Sequence, residues 1–143
     1  MITQAITQQD RILVEQAQSA TYLSYSPYSH FAVGAAVLLK NGKIIKGANQ
    51  ENVSYPVGIC AERTTLATAQ NLYPDTPIIS IALAARDAEG NITNKIITPC
   101  GMCRQAIAEC EKRYKQDIRI IMSSIDDIIA VDGINNLLPM AFL

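Results

Sequence analysis

Charge of either sign is scarce in this chain. Twelve Lys and Arg face thirteen Asp and Glu, for a formal net charge of −1, and that balance excludes a protein that grips phosphate backbones through a basic surface. Long apolar runs are missing as well: residues 31–39 and 78–85 fall far short of the roughly 18 residues that a membrane span needs. Residues 1–5 carry neither the basic stretch nor the apolar core of a secretory signal, so the expected compartment is the cytoplasm. Histidine occurs once, as His30, and no repeat, linker or low-complexity tract interrupts the sequence. Small or neutral partners are expected, with neither nucleic acid nor membrane among them.

What the chain does have is apolar content. Its 143 residues are 49% apolar and 17% charged, enough to bury one core but not a second sizeable one, so residues 1–143 are expected to form a single domain. Ile12, Leu13, Ala17 and Ala20 recur at helical spacing and predict a helix over residues 10–22 with Asp10 as its cap. Strands over 31–39 and 43–48 flank Asn41-Gly42, the mark of a two-residue hairpin turn. Helical composition returns over 60–71. Residues 78–85 lack polar alternation, as in a strand covered on both faces, and Ile96 and Ile97 are read as a strand extension. Pro99 precedes a helix over 100–114, followed by short strands over 118–122 and 128–131. Lys112, Arg113, Lys115 and Arg119 cluster at that helix end, where cations complement the dipole on a solvated face. Five strands alternating with three helices predict an α/β fold, a three-layer α/β/α sandwich around a mixed five-stranded sheet.

Four cysteines in a reducing compartment point to metal or catalysis before disulfides. Cys60 opens the run Cys-Ala-Glu-Arg, and Cys100 and Cys103 belong to Pro-Cys-Gly-Met-Cys-Arg-Gln, so three of the four stand at predicted helix starts. The i, i+3 spacing puts Cys100 and Cys103 on one face of a first turn, where both can hold one ion. Free N–H groups and the positive helix end favour thiolates there. A structural zinc site closes with four protein ligands and a catalytic one with three. Cys110 lies about two to three turns down the same helix and reads as core, and His30 reads as a surface residue, yet either would be needed to complete a four-ligand site. Glu62 does not share the helix face of Cys60 and is not expected to be a ligand. It is either an ordinary first-turn acid or a proton carrier beside a metal-activated water. Asn49 and Glu51, two apart at a strand end, suit sugar hydroxyls, and a polar turn accounts for them as well.

Cys-Ala-Glu followed by Pro-Cys-x-x-Cys is the pattern of the zinc nucleobase deaminases, here in its all-cysteine version. Residues 25–36, residues 49–52 (Asn-Gln-Glu-Asn), residues 60–64 and residues 137–139 (Leu-Leu-Pro) extend the likeness in order from about Tyr22 to Phe142. Over that span the chain resembles the small homotetrameric cytidine deaminases. The resemblance implies one Zn2+ per chain held by Cys60, Cys100 and Cys103, with a water in the open position activated near neutral pH. It implies hydrolytic deamination of cytidine and deoxycytidine to uridine and deoxyuridine in pyrimidine salvage, the activated water attacking C4 while Glu62 shuttles the proton. It implies further that Arg63 offsets the thiolate charge, with Arg104 as a second nearby cation, that Asn49 and Glu51 bind the ribose, and that Ala61 lines the substrate. Phe31 would stack near the pyrimidine together with Phe142 of a neighbouring subunit, and Tyr55 would reach an adjacent site, so that active sites lie near subunit interfaces. The chain departs from the pattern at Gln50, at Met102 and in the Pro56-Val57-Gly58-Ile59 lead-in to Cys60, all of which would shape the pocket rim.

Other readings fit less well. Deaminases of tRNA adenosine use His as first ligand and need a basic surface, both missing here. A blasticidin-type aminonucleoside deaminase shares the cysteines but fits residues 31–34 and 49–52 less well. A non-catalytic zinc-stabilised binding module would close its site with Cys110 or His30. A thiol redox pair at Cys100 and Cys103 would leave Cys60 and Glu62 without a role.

Overall fold

Buried side chains alternate to opposite faces along the central strands. Ala35, Val37, Leu39, Ile81, Leu83, Ile120 and Met122 enter one core cluster, whereas Ala36, Ala82, Ala84 and Ile121 enter another. A strand apolar on both faces must be covered on both, and helices supply the cover.

The computed structural model describes residues Met1–Leu143, with the order β1 (Thr3–Gln4), α1 (Gln8–Ala20), β2 (Ala32–Leu39), β3 (Ile44–Ala48), α2 (Ala61–Leu72), β4 (Ile78–Arg86), α3 (Gly101–Tyr114), β5 (Arg119–Ser123) and β6 (Ile128–Asp132). The sheet runs β1-β6-β5-β4-β2-β3. Only the β4–β5 pair is parallel. Leu13, Val14 and Ala17 of α1 cover the alanine-rich face, while Leu66 and Ala69 of α2 and Ile107 and Ala108 of α3 cover the bulkier one. Gly34 lets α1 approach that closely, because a Cβ there would run into the Ala17 carbonyl and lie 2.7 Å from the Thr21 nitrogen.

The α/β/α sandwich and mixed sheet are as expected, but the sheet has six strands rather than five. The additional strand is the exposed pair Thr3–Gln4. It carries no apolar pattern and exists through its register against Val131 and Ala130 of β6. The α1 cap is Thr7, not Asp10: Asp10 is the third helical residue, and its carboxylate accepts from the Thr7 N–H at 2.9 Å while the Thr7 hydroxyl accepts from the Asp10 N–H at 3.1 Å, a capping box. The hairpin loop is three residues long, since Leu39 N–H bonds the Lys43 carbonyl at 2.9 Å and Gly42 takes φ +87°. Ile96 and Ile97 form no strand. Ile97 donates to the Ser123 carbonyl at 3.0 Å, and Pro99 has no N–H with which to continue a ladder.

The basic cluster is not a uniform solvated face either. Arg119 donates to both carboxylate oxygens of Asp10, at 2.9 and 2.7 Å, and to Asp132 at 3.0 Å, joining α1, β5 and β6. Arg113 donates to the Gln70 side chain and the Pro74 carbonyl at the end of α2, leaving Lys112 and Lys115 exposed. No helix is long and apolar enough to cross a membrane.

Candidate active site

Because α2 and α3 share one face of the sheet, their N-terminal ends meet. Cys60 is the N-cap of α2, Cys100 the N-cap of α3, and Cys103 lies in the first turn of α3. The three Sγ atoms lie within 4.8 Å of one another, with Cys100 and Cys103 3.6 Å apart. Tetrahedral thiolate ligands about 2.3 Å from zinc stand about 3.8 Å from each other, so this set fits one zinc ion with little movement. Without an ion, two of the three thiols resist ionisation. Burial raises the Cys60 thiol, and negative charge on Cys100 and Glu62 adds to the rise. Cys103 is raised further by burial and by the Glu62 and Cys60 charges. Burial also opposes the Cys100 thiolate, but the Cys103 N–H, the neighbouring sulfurs and the Met102 N–H outweigh it and its pKa falls. A divalent cation inverts this mutual opposition.

Beside the sulfurs lies an open cavity of about 380 Å³ whose lining includes Phe31, Asn49, Glu51, Cys60, Glu62 and Cys100. Glu62 is 5% exposed, and burial raises its pKa above the usual carboxylate value. Its oxygens are not part of the three-sulfur cluster. Ala61 is fully buried in the same wall. The unusual lead-in to Cys60 is held in place by a reciprocal pair: Gln50 N–H to the Ile59 carbonyl and Ile59 N–H to the Gln50 carbonyl, both 3.0 Å. That bridge sets Cys60 beside Asn49 and Glu51.

Asn49 and Glu51 do face the cavity, and both also brace its rim. Asn49 Nδ2 donates to the Phe31 carbonyl at 2.9 Å, and its Oδ1 accepts from Val33 N–H at 2.9 Å and the Ser24 hydroxyl at 2.6 Å. One N–H of the amide stays free. Glu51 accepts from the N–H groups of Tyr28 and Ser29 at 3.0 and 3.1 Å and from the Ser29 hydroxyl. The hydroxyl bond leads the causes that lower its pKa. Ser24 and Ser29 are supports that sequence reading missed, as are Ile97 and Thr98 in the cavity wall. The turn-rich segment around Ser24 and Ser29 was the one signal of the serines, while Thr98 has no signal beyond its nearness to Cys100.

The remaining sequence-predicted residues are dispersed. Phe31 is 37% exposed at the cavity mouth. Tyr55 is 75% exposed, packs edge-on against Tyr28 at 5.9 Å and lines the adjoining hollow that shares Glu51 and Gly58 with the main cavity. Phe142 is 87% exposed and outside the cavity lining of its own chain. Arg63 donates to the Met102 sulfur at 3.0 Å, and the Arg104 side chain donates to the carbonyls of Pro99 and Leu137, so neither guanidinium hydrogen-bonds a cysteine sulfur. Cys110 is buried, with its thiol pushed up to about 11 by burial, and His30 is exposed in a left-handed turn with φ 53°. Neither belongs to the sulfur cluster.

Three cysteine sulfurs within reach of one ion, set at two helix starts on an α/β/α sandwich with a buried carboxylate in the same cavity wall, fit the class of zinc-dependent hydrolytic enzymes. Residues 7–116 match the family model described as the cytidine and deoxycytidylate deaminase zinc-binding region, and the chain belongs to that family. It is 37% identical over 132 residues to the cytidine deaminase of Halalkalibacterium halodurans, covering 92% of each chain. A crystal structure of cytidine deaminase from Burkholderia pseudomallei superposes with a TM-score of 0.79 at 34% identity, covering 96% of this chain and 100% of the other. The blasticidin-S deaminase of Bacillus cereus is more distant, 29% identical over 95% of this chain and all of its own.

Proposed function

We propose that the chain deaminates cytidine and deoxycytidine hydrolytically, giving uridine or deoxyuridine and ammonia, with Cys60, Cys100 and Cys103 holding one zinc ion. When bound, the zinc supplies a Lewis acid with an open position that makes water nucleophilic near neutral pH. The chain's own residues supply the rest. Phe31, Val33, Ile59, Ala61 and Ile97 give the pyrimidine an apolar slot. The free N–H of Asn49 and the remaining lone pair of Glu51 meet ribose hydroxyls. Glu62 takes a proton from the attacking water and delivers it to ring N3 as the C4–O bond forms, then carries the second proton of that water, now on the C4 hydroxyl, to the departing amine as the C4–N bond breaks.

The observation that carries this reading is the position of Glu62, buried in the same cavity wall as Cys60 and Cys100 with its carboxyl pKa raised. A raised pKa suits a group that accepts and returns a proton at neutral pH. Arg63, which follows Glu62 on α2 and donates to the Met102 sulfur, would offset the net negative charge of three thiolates on one zinc. The exposure of Tyr55 and Phe142 supports a homotetramer in which each reaches a neighbouring subunit's site. Pyrimidine salvage in the cytoplasm is the setting that suits such a substrate. Ammonia release from a panel of cytidine, deoxycytidine, cytosine, adenosine and blasticidin S, with and without a zinc chelator, tests the reading. Chelator-sensitive release from cytidine and deoxycytidine is expected, and release from adenosine or blasticidin S alone contradicts it.

A further inference from the structure

Arg104 follows Cys103 directly and makes three bonds that converge on two segments. Its backbone N–H donates to the Cys100 carbonyl at 2.9 Å, Nε to the Pro99 carbonyl at 2.8 Å and Nη1 to the Leu137 carbonyl at 2.7 Å. Pro99 is buried, and a buried carbonyl needs a partner. The Arg104 side chain provides it from within the structure. The guanidinium makes no ion pair, since the two ion pairs of the chain both belong to Arg119. Its charge is therefore met by carbonyl dipoles, and its planar fork spans both of them at once, which an ammonium does not do with fixed geometry.

We propose that Arg104 is a positioning residue that locks the Pro99–Cys100 entry to α3 to the C-terminal tail and thereby sets how tightly the chain retains zinc; this rests on the reading of Cys60, Cys100 and Cys103 as the ligands. The tail is built for the purpose. Leu137, Leu138 and Ala141 pack against the larger core, and Gln105 Nε2 donates to the Phe142 carbonyl at 2.7 Å. Neighbouring residues of α3 thus hold the two ends of the tail, but only Arg104 also holds the segment that orients Cys100. Freed from Arg104, the Pro99–Cys100 peptide can turn and carry its sulfur away from the other two. Groups that orient ligands in this way are worth about 10–100-fold in metal affinity when removed.

The experiment loads the full chain with zinc and follows transfer of the metal to a coloured chelator in Arg104→Ala, Arg104→Lys and Gln105→Ala, together with amide hydrogen exchange over residues 99–103 and 137–142. Arg104→Ala is expected to lose zinc about 10–100-fold faster, with faster exchange in both segments. Arg104→Lys should fall between it and the parent. Gln105→Ala should speed exchange only at the tail end and release zinc as the parent does. Parent-like zinc release from Arg104→Ala overturns the proposal; should that variant fail to fold, parent-like release from Arg104→Lys does the same. A parent that binds no zinc overturns the ligand assignment instead, and exchange at 99–103 in the variants then decides the clamp by itself.

Discussion

Asn49 and Phe31 are bound to each other: the Asn49 amide donates to the Phe31 carbonyl at 2.9 Å while its oxygen accepts from the Val33 N–H at 2.9 Å. One carboxamide therefore braces the aromatic wall from both sides of Ala32. A residue suited to the ribose is at the same time a support for the base.

This separates two substitutions that would otherwise look alike. Asn49→Ala forfeits the three bonds that brace the Phe31 wall and also the N–H offered to the ribose, so kcat/KM should fall about tenfold or more for free cytosine and further still for cytidine. Glu51→Ala keeps the Asn49 bond to the Phe31 carbonyl but frees the Ser29 hydroxyl that accepts from the Phe31 N–H, so it should raise KM for cytidine about tenfold with a smaller effect on cytosine. Steady-state kinetics on both substrates checks the pair, and an equal loss on both in Glu51→Ala would count against ribose binding.

Glu62→Gln keeps the shape of the wall and removes the proton carrier. Its kcat should fall by about 10²–10⁴, with the zinc content per chain unchanged by metal analysis. Near-normal turnover would overturn the role given to Glu62.

Acid stability should depend on Asp10. Burial pushes its carboxyl up, but the hydrogen bonds from Arg119 and Thr7 outweigh it and hold the pKa below the ordinary 3.8. A folded-state pKa below the unfolded one means the contribution is complete above the ordinary carboxylate range and is lost as pH falls through the folded value. Urea denaturation should show Asp10→Asn less stable than the parent by about 2 kcal/mol at pH 7, with the gap closing below pH 3 to 4. A gap independent of pH would contradict the Arg119 pairing as its source.

How α1 lies on the sheet rests on Gly34. Gly34→Ala places a methyl group against the backbone of Ala17 and Thr21 and should cost about 1–3 kcal/mol, read as a lower melting temperature. An unchanged melting temperature would mean that α1 shifts freely on the strand.

The helix starts at Cys60 and Cys100 were legible because an i, i+3 pair after Pro99 and a Cys-Ala-Glu run carry local signals. The strand cores were legible because both faces are apolar. What stayed hidden depends on partners distant in sequence. Thr3 and Gln4 become a strand only against β6. Arg119 looked like part of a solvated basic cluster, yet its carboxylate partner lies 109 residues away. In the same way the brace role of Asn49 depends on Phe31 and Ser24, 18 and 25 residues earlier, and nothing local to Asn49 announces it.

Zinc-edge X-ray absorption on the purified chain tests the central claim most directly. The account predicts one zinc per chain with three sulfur neighbours at about 2.3 Å and a single light-atom neighbour that is exchangeable with solvent. Four sulfurs, a histidine signature, or a folded protein without metal would contradict it.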